Sequence, residues 1–268
     1  SALVFSASAR AAGMTTARII TEEDIVPNRA AGYRLVRGEL KNQSWVAPKL
    51  NTTADGSLYF SVRDLVAWGR AVRTRALLKP DSWKQVIGPL RLTSGRPYPY
   101  GMGWSLDTVG GQPVEGHGGA WQGFKTQLTR YLGDDMTVIL LANAAQANPA
   151  EFVDSIAAIY NPTLVRPKPA PIADRDPAIA ERLKALLASA AAGTLDPAEF
   201  AYVRGGFSPN AARAYATALR DLGAPTKLTL MSRKQLGDDV VSTYVVSYGS
   251  TEFDVGLGLA PDGKIAQF

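Results

Sequence analysis

The sequence predicts an α/β (α+β) protein in two parts: helices with an antiparallel sheet, then a small C-terminal α+β domain that ends in an antiparallel meander. Three observations carry this prediction. Residues 126–141 read as strand, turn, strand; a capped amphipathic helix begins after Ser61; and after a Pro-rich run come helices followed by four strand-like segments. The run Arg166-Pro167-Lys168-Pro169-Ala170-Pro171 favours an extended, semi-rigid spacer. It places the domain boundary, giving 1–162, a linker at 163–173 and a second domain at 174–268.

In the first part, residues 1–20 carry a weak helical pattern through Leu3, Val4, Ala7 and Ala11 that stops at Gly13. Residues 21–55 are rich in turn formers, among them Pro27, Asn28, Gly32, Pro48 and Asn51, with a short extended piece at Tyr33-Arg34-Leu35-Val36. Ser61 followed three residues later by Asp64 forms a capping-box pattern, and Leu65, Trp68, Ala71 and Val72 follow at helical spacing. Arg73 and Arg75 near the helix C-terminus suit its dipole. Pro80 opens a second short helix that Gly88-Pro89 stops. Residues 149–160 form a third, amphipathic helix, with Phe152, Val153, Ile156 and Ile159 on one face.

In the second part, Asp176-Pro177 starts a helix that carries Ile179, Leu183, Leu186 and Leu187 and stops at Gly193. Asp196-Pro197 and Ser208-Pro209 start two more. Strand-like runs follow at 227–231, 240–247, 252–259 and 264–268, with turns at Gly237-Asp238-Asp239, Gly249-Ser250 and Pro261-Asp262-Gly263. Tyr244, Tyr248 and Phe253 at strand spacing are assigned to the core.

Composition narrows the chemistry. The 268 residues include no cysteine and one histidine, and the net charge of +5 is scattered rather than clustered with aromatics. Disulfides, thiol nucleophiles and Cys-ligated metals are excluded, and neither a metal site nor nucleic-acid binding is supported. No apolar run approaches the length of a membrane span. The start, with a short apolar patch but no basic residues before it, is not read as a signal peptide.

The chain is organised around residues 98–144, at whose centre stands Gly116-His117-Gly118-Gly119 with the sole histidine. Histidine titrates near neutrality, and flanking glycines let a ligand approach the backbone. A lone histidine beside glycines and tryptophan is also a common structural feature, and strand glycines can mark only a bulge. Taken alone, the stretch leaves the function open.

Four segments in order make residues 1 to about 160 resemble the C-terminal half of the serine β-lactamase-like hydrolases, a group that includes class C β-lactamases, penicillin-binding-protein-like DD-peptidases and esterases. Ala12-Gly13-Met14-Thr15 is similar to the family's "LGM-T" segment, and the run from Gly56 through Ser61 and Asp64 to Trp68 to its "GGL-ST-DLA-W" helix start. Tyr100-Gly101-Met102-Gly103-Trp104 is similar to the "YG-GW" strand, and His117-Gly118-Gly119 falls at the third motif, Lys-Thr-Gly or His-Gly-Gly.

The resemblance implies a mechanism in which the serine of an S-x-x-K motif attacks a carbonyl. His117 would present a polar group to the substrate or the proton relay, Gly118 and Gly119 would leave room for substrate, and the Ala120 N–H would be one of two oxyanion donors. No cofactor and no metal is implied. The 268 residues contain no S-x-x-K and no Y-x-N, and the only S-x-N, at Ser208-Pro209-Asn210, lies beyond the linker. In the family both motifs precede the "LGM" segment, at which this chain begins.

The reading is therefore an incomplete β-lactamase-like domain acting on an ester, amide or peptide, needing a missing N-terminal segment or self-association. The alternatives are a non-catalytic binding or accessory protein on the same scaffold, and a purely structural module. Residues 172–268 resemble, more distantly, the NTF2-like and cystatin-like domains attached to such hydrolases. A periplasmic or secreted location is implied by the resemblance alone.

Overall fold

The computed structural model describes residues 2–19, 23–43, 58–202 and 209–268. The expected turn formers Pro48 and Asn51, the start of the second family segment at Gly56 and Ser57, and the helix-starting Ser208 lie outside them. The chain divides into two compact units: residues 1–90 with 99–166, and residues 91–98 with 167–268.

The first unit runs α1 (Ala2–Ala11), β1 (Arg18–Ile19), β2 (Tyr33–Val36), β3 (Glu39–Asn42), β4 (Leu58–Tyr59), α2 (Val62–Arg73) and α3 (Pro80–Ile87). A short pair follows, β5 (Leu90–Arg91) and β6 (Pro97–Tyr98), of which residues 91–98 belong to the second unit. Then come β7 (Ser105–Val109), β8 (Gln112–Trp121), β9 (Phe124–Tyr131), β10 (Met136–Ala142) and α4 (Pro149–Tyr160). Strands β10-β9-β8-β7 form an antiparallel sheet in that order, each joined to the next in sequence by a tight turn.

Both faces of this sheet are covered, as the two-residue side-chain period requires. On one face Leu128 joins Leu65 and Val72 of α2, Trp83 of α3 and Trp104, with Leu106 and Ile139 against them. On the other, Val109, Val114, Tyr131 and Val138 pack on Val153 and Ala157 of α4 and on Leu164. Each fully buried aliphatic contributes roughly 1.5–3 kcal/mol.

The expected face of α4 requires correction. Val153 is 1% exposed, whereas Phe152, Ile156 and Ile159 are 58%, 45% and 84% exposed. The helix carries two apolar stripes, and the one holding the smaller residues Val153 and Ala157 lies on the sheet. Spacing alone does not distinguish two such stripes; the closeness of helix to sheet selects the smaller.

The capping box at Ser61 is present, and a second segment completes it. The Ser61 N–H donates to Asp64 Oδ2 at 2.8 Å, and the Asp64 N–H donates to Ser61 Oγ at 3.3 Å. The Thr16 N–H donates to Asp64 Oδ1 at 3.0 Å and the Thr16 hydroxyl to Oδ2. Pairing of β1 with β4 brings Thr16 to this helix start, 48 residues away in sequence. Burial by itself raises a carboxyl pKa; here the donors from Thr16 and Ser61 outweigh it and lower Asp64 from 3.8 to about 2.

At the end of the first unit Arg166 bridges Asp107 and Asp154, each at 2.8 Å, and Tyr131 donates to Asp154 at 3.0 Å. Burial and the Asp154 carboxylate push the Tyr131 phenol up.

The second unit contains α5 (Pro177–Ala192), α6 (Pro209–Leu219) and the meander β11 (Lys227–Leu236), β12 (Asp239–Tyr248), β13 (Thr251–Leu259) and β14 (Ile265–Gln267). Pro177 sits at the first turn of α5, and Gly193 ends it in the left-handed conformation at φ 71°. Leu183, Leu186 and Leu187 pack on Leu230, Tyr244, Val246, Tyr248, Leu257 and Ile265.

Three expectations for this unit change. The helix expected at Asp196-Pro197 is a single 3-10 turn, Pro197–Glu199, after which Phe200 bridges Ile265. Strand β11 continues past Met231 because residues 232–236, polar at 232–235 and then Leu236, pair with β12 beyond an irregularity at Leu230/Ser232. Phe253 is 43% exposed, its ring meeting that of Tyr248 edge to face with centroids 6.0 Å apart.

Both ends of the expected spacer are engaged. Pro162–Leu164 forms a 3-10 turn with Leu164 buried in the first unit. In the second, the Ile172 N–H donates to the Leu230 carbonyl at 2.9 Å, and Asp174 accepts from Arg233 at 2.8 Å and from Tyr244 at 3.2 Å.

Asp64→Asn should destabilise the protein by about 2–3 kcal/mol at neutral pH, because the stabilisation that lowers its pKa from 3.8 to about 2 is lost. Asp64 has its folded pKa depressed, so its contribution is present above about pH 4 and disappears as pH falls towards 2. Urea unfolding of the two proteins between pH 7 and 2.5 measures this: the gap in unfolding free energy should close on acidification.

Candidate active site

His117 lies on β8 in register with Leu128 of β9, two residues beyond the Glu115–Arg130 pair. Alternation puts His117, Glu115, Leu128 and Arg130 on the sheet face covered by α2 and α3. The Glu115–Arg130 ion pair is buried there, whereas His117 is exposed. The change occurs where β7 ends. Its last pairing is Ser105 with Gly116, so the stretch 117–121 runs on past its partner, with β9 the only strand alongside among the described residues.

The Tyr-Gly-Met-Gly-Trp segment supplies the partner of His117. Tyr100 Oη lies 2.9 Å from His117 Nε2, with the rings edge to face and their centroids 5.9 Å apart. His117 Nδ1 lies 2.6 Å from the Gly118 carbonyl oxygen. The glycines and tryptophan of the segment hold Tyr100 in place. A Cβ on Gly101 would stand 2.3 Å from the Val86 carbonyl oxygen at the end of α3. Gly103 turns the chain at φ +85°, and Trp104 anchors it in the core. The Gly101 N–H donates to the Trp104 carbonyl at 2.7 Å, and the Leu90 N–H to the Tyr100 carbonyl at 2.9 Å.

Gly116, Gly118 and Gly119 answer to β9. A Cβ on Gly116 would meet the Leu128 carbonyl oxygen at 2.6 Å, which makes that glycine a requirement of the sheet. Over Gly118 the neighbour is Gln127 Oε1, and over Gly119 it is Thr126 Oγ1, both 2.7 Å from the Cβ position. Thr126 lies on His117's face, so a hydroxyl stands over the strand where sequence reading expects open room. Ala120, the expected oxyanion donor, is exposed and pairs with Lys125.

Sequence reading finds His117, Gly118, Gly119 and Ala120, and the fold brings them together on one exposed strand. It does not assign Tyr100, Thr126 or the Glu115–Arg130 pair. Tyr100 carries a signal, its place in a glycine-flanked motif, but its partner 17 residues away is set by packing. Among the described residues no group of three His, Asp or Glu could hold a metal ion, and no helix is long and apolar enough to cross a membrane.

A family model described as Beta-lactamase matches residues 8–160, more than half of the chain. D-aminopeptidase from Gluconobacter oxydans (strain 621H) is 29% identical over 159 residues, covering 56% of this chain and 29% of the relative. D-aminopeptidase from Brucella canis (strain ATCC 23365 / NCTC 10854 / RM-666) is 26% identical over 134 residues, covering 49% and 25%. These matches span less than a third of the relatives' length. Among solved structures, the octameric penicillin-binding protein homologue from Pyrococcus abyssi is 18% identical, with a TM-score of 0.49, covering 94% of this chain and 49% of that one. A penicillin binding protein from Bacillus halodurans is 22% identical, with a TM-score of 0.47, covering 59% and 48%.

Glu115→Gln should cost about 3–5 kcal/mol, because it leaves the Arg130 guanidinium buried and unpaired. Arg130 Nε already has no partner among the described residues. The double change Glu115→Leu with Arg130→Met should therefore recover most of that loss in a denaturant titration. Gly101→Ala should cost on the order of 1–3 kcal/mol by overpacking against the Val86 carbonyl, measurable as a lowered unfolding midpoint.

Proposed function

Because the chain belongs to the beta-lactamase family, we propose that it forms part of a serine hydrolase that opens an ester or amide through an acyl-enzyme. The observation that carries this reading is the exposed strand His117-Gly118-Gly119-Ala120, which runs on beyond its pairing with β7 and has its histidine held by Tyr100. In the proposed reaction a serine hydroxyl attacks the carbonyl carbon and its proton passes to a lysine. The tetrahedral oxyanion is stabilised by two N–H donors, that of Ala120 being one, a term worth about 3 kcal/mol of barrier. The leaving nitrogen or oxygen takes the proton as its bond to carbon breaks, and water then cleaves the acyl ester. Two relatives bear the name D-aminopeptidase, which favours a peptide-type amide over a β-lactam or simple ester.

No S-x-x-K occurs in these 268 residues, so in this reading the serine, the lysine and the second oxyanion donor come from polypeptide outside them. Two surfaces suit such a segment or a second copy of the chain. β10 ends its sheet with an edge that pairs with no strand among the described residues, and α4 presents the exposed stripe Phe152, Ile156 and Ile159. A periplasmic or secreted location belongs to the same proposal.

The missing nucleophile motif also favours a second reading, a binding or accessory protein that keeps the scaffold without turnover. Two experiments separate them. A native intact-mass spectrum should show a second polypeptide, containing S-x-x-K, accompanying the chain of 28.6 kDa. With that segment present or restored, a chromogenic ester or labelled penicillin should leave a covalent serine adduct. His117→Ala should slow acylation at least ~100-fold without lowering the unfolding midpoint. A reconstituted protein that never acylates, yet loses ligand binding on His117→Ala, would support the accessory reading instead.

A further inference from the structure

Both ring nitrogens of His117 are engaged within the chain. Nδ1 faces the Gly118 carbonyl oxygen at 2.6 Å, and a carbonyl oxygen can only accept, so Nδ1 carries the proton. In the neutral imidazole Nε2 is then an acceptor, and the group 2.9 Å from it is the Tyr100 hydroxyl, which donates. Which ring nitrogen holds the proton is decided by the bond the other one makes. Here the Gly118 carbonyl sets the proton on Nδ1, and the Tyr100 hydroxyl, able to donate, fits the lone pair this leaves on Nε2.

We propose that Tyr100 is a positioning residue that, with the Gly118 carbonyl, locks His117 as its Nδ1–H tautomer with the Nε2 lone pair turned to the phenol. This rests on the reading of His117 as a site residue and adds what that reading does not contain. The histidine works as one half of a Tyr100–His117 pair. A neutral imidazole in water favours the Nε2–H form, so the chain holds this ring in the less common tautomer. The placement of Tyr100 is tight: Gly101 fits against the Val86 carbonyl, where no Cβ could, and the edge-to-face contact at 5.9 Å fixes the ring angle. The Tyr-Gly-Met-Gly-Trp segment thereby acquires a purpose, to hold one hydroxyl against one imidazole nitrogen.

The test uses the sole histidine of the chain, which makes its ring signals unambiguous. The protein is labelled with 15N-histidine, and long-range 1H–15N correlation is recorded at a pH where the ring is neutral. The expected spectrum has a protonated, pyrrole-type Nδ1 and an unprotonated, hydrogen-bonded Nε2. Tyr100→Phe should move the ring nitrogen shifts towards a mixture containing the Nε2–H form, an effect that loss of mere packing does not produce. A wild-type ring protonated on Nε2, or unchanged shifts in Tyr100→Phe, would overturn the proposal. The wild-type spectrum decides the matter even if the variant fails to fold. No turnover enters the measurement, so a failed acylation assay leaves the tautomer standing, and a wrong tautomer leaves the hydrolase reading to its own test.

Discussion

Along β8 and β9 successive side chains must face opposite ways, and both faces of this sheet are covered by helices. Register is therefore specified from two sides at once. A one-residue slip would turn Tyr131 out of the α4 layer and carry Glu115 and Arg130 away from each other. The same alternation aims His117 at the face where α3 ends and the Tyr100 segment begins. The position of the histidine is thus a consequence of how the core is built, and the site inherits its rigidity from cross-strand packing on either side of it.

What differs along β8 is how much of the strand is enclosed. Glu115 and Gly116 lie within the run paired with β7 and are buried, while His117 and the residues after it extend beyond and are exposed. Burial makes Glu115–Arg130 a structural pair, retained at a desolvation cost. His117, beyond that run, is exposed beside Tyr100. Glu115 and His117, two polar side chains on one face of β8, thereby differ in burial, and the boundary between them is the end of a neighbouring strand.

A comparable division governs the helices. The start of α2 is held by Asp64, whose carboxylate collects donors from Ser61 beside it and from Thr16 of a distant segment. The residue that follows the first family segment and the helix start of the second are thus two halves of one hydrogen-bonded joint. In α4 the side that faces the sheet is the one whose smaller residues permit close approach, and the bulkier stripe is left outward. That outward stripe is exposed, and the edge of β10 pairs with no strand among the described residues.

By itself the sequence determined whatever local chemistry controls: the Ser61–Asp64 capping box, the Pro177 start and Gly193 stop of α5, the hairpin turns of the meander, and the glycine-flanked histidine. Each follows from backbone preferences of residues a few positions apart. Only the tertiary structure decided that Thr16 completes the cap, that Val153 and not Phe152 faces the sheet, that Thr126 fills the space over Gly119, and that Tyr100 holds His117. These contacts join segments between which sequence spacing carries no distance information, and they depend on how closely two elements approach. The histidine could be read from the chain, but the partner that sets its proton could not, because that partner is placed by a glycine pressed against a carbonyl at the end of another helix.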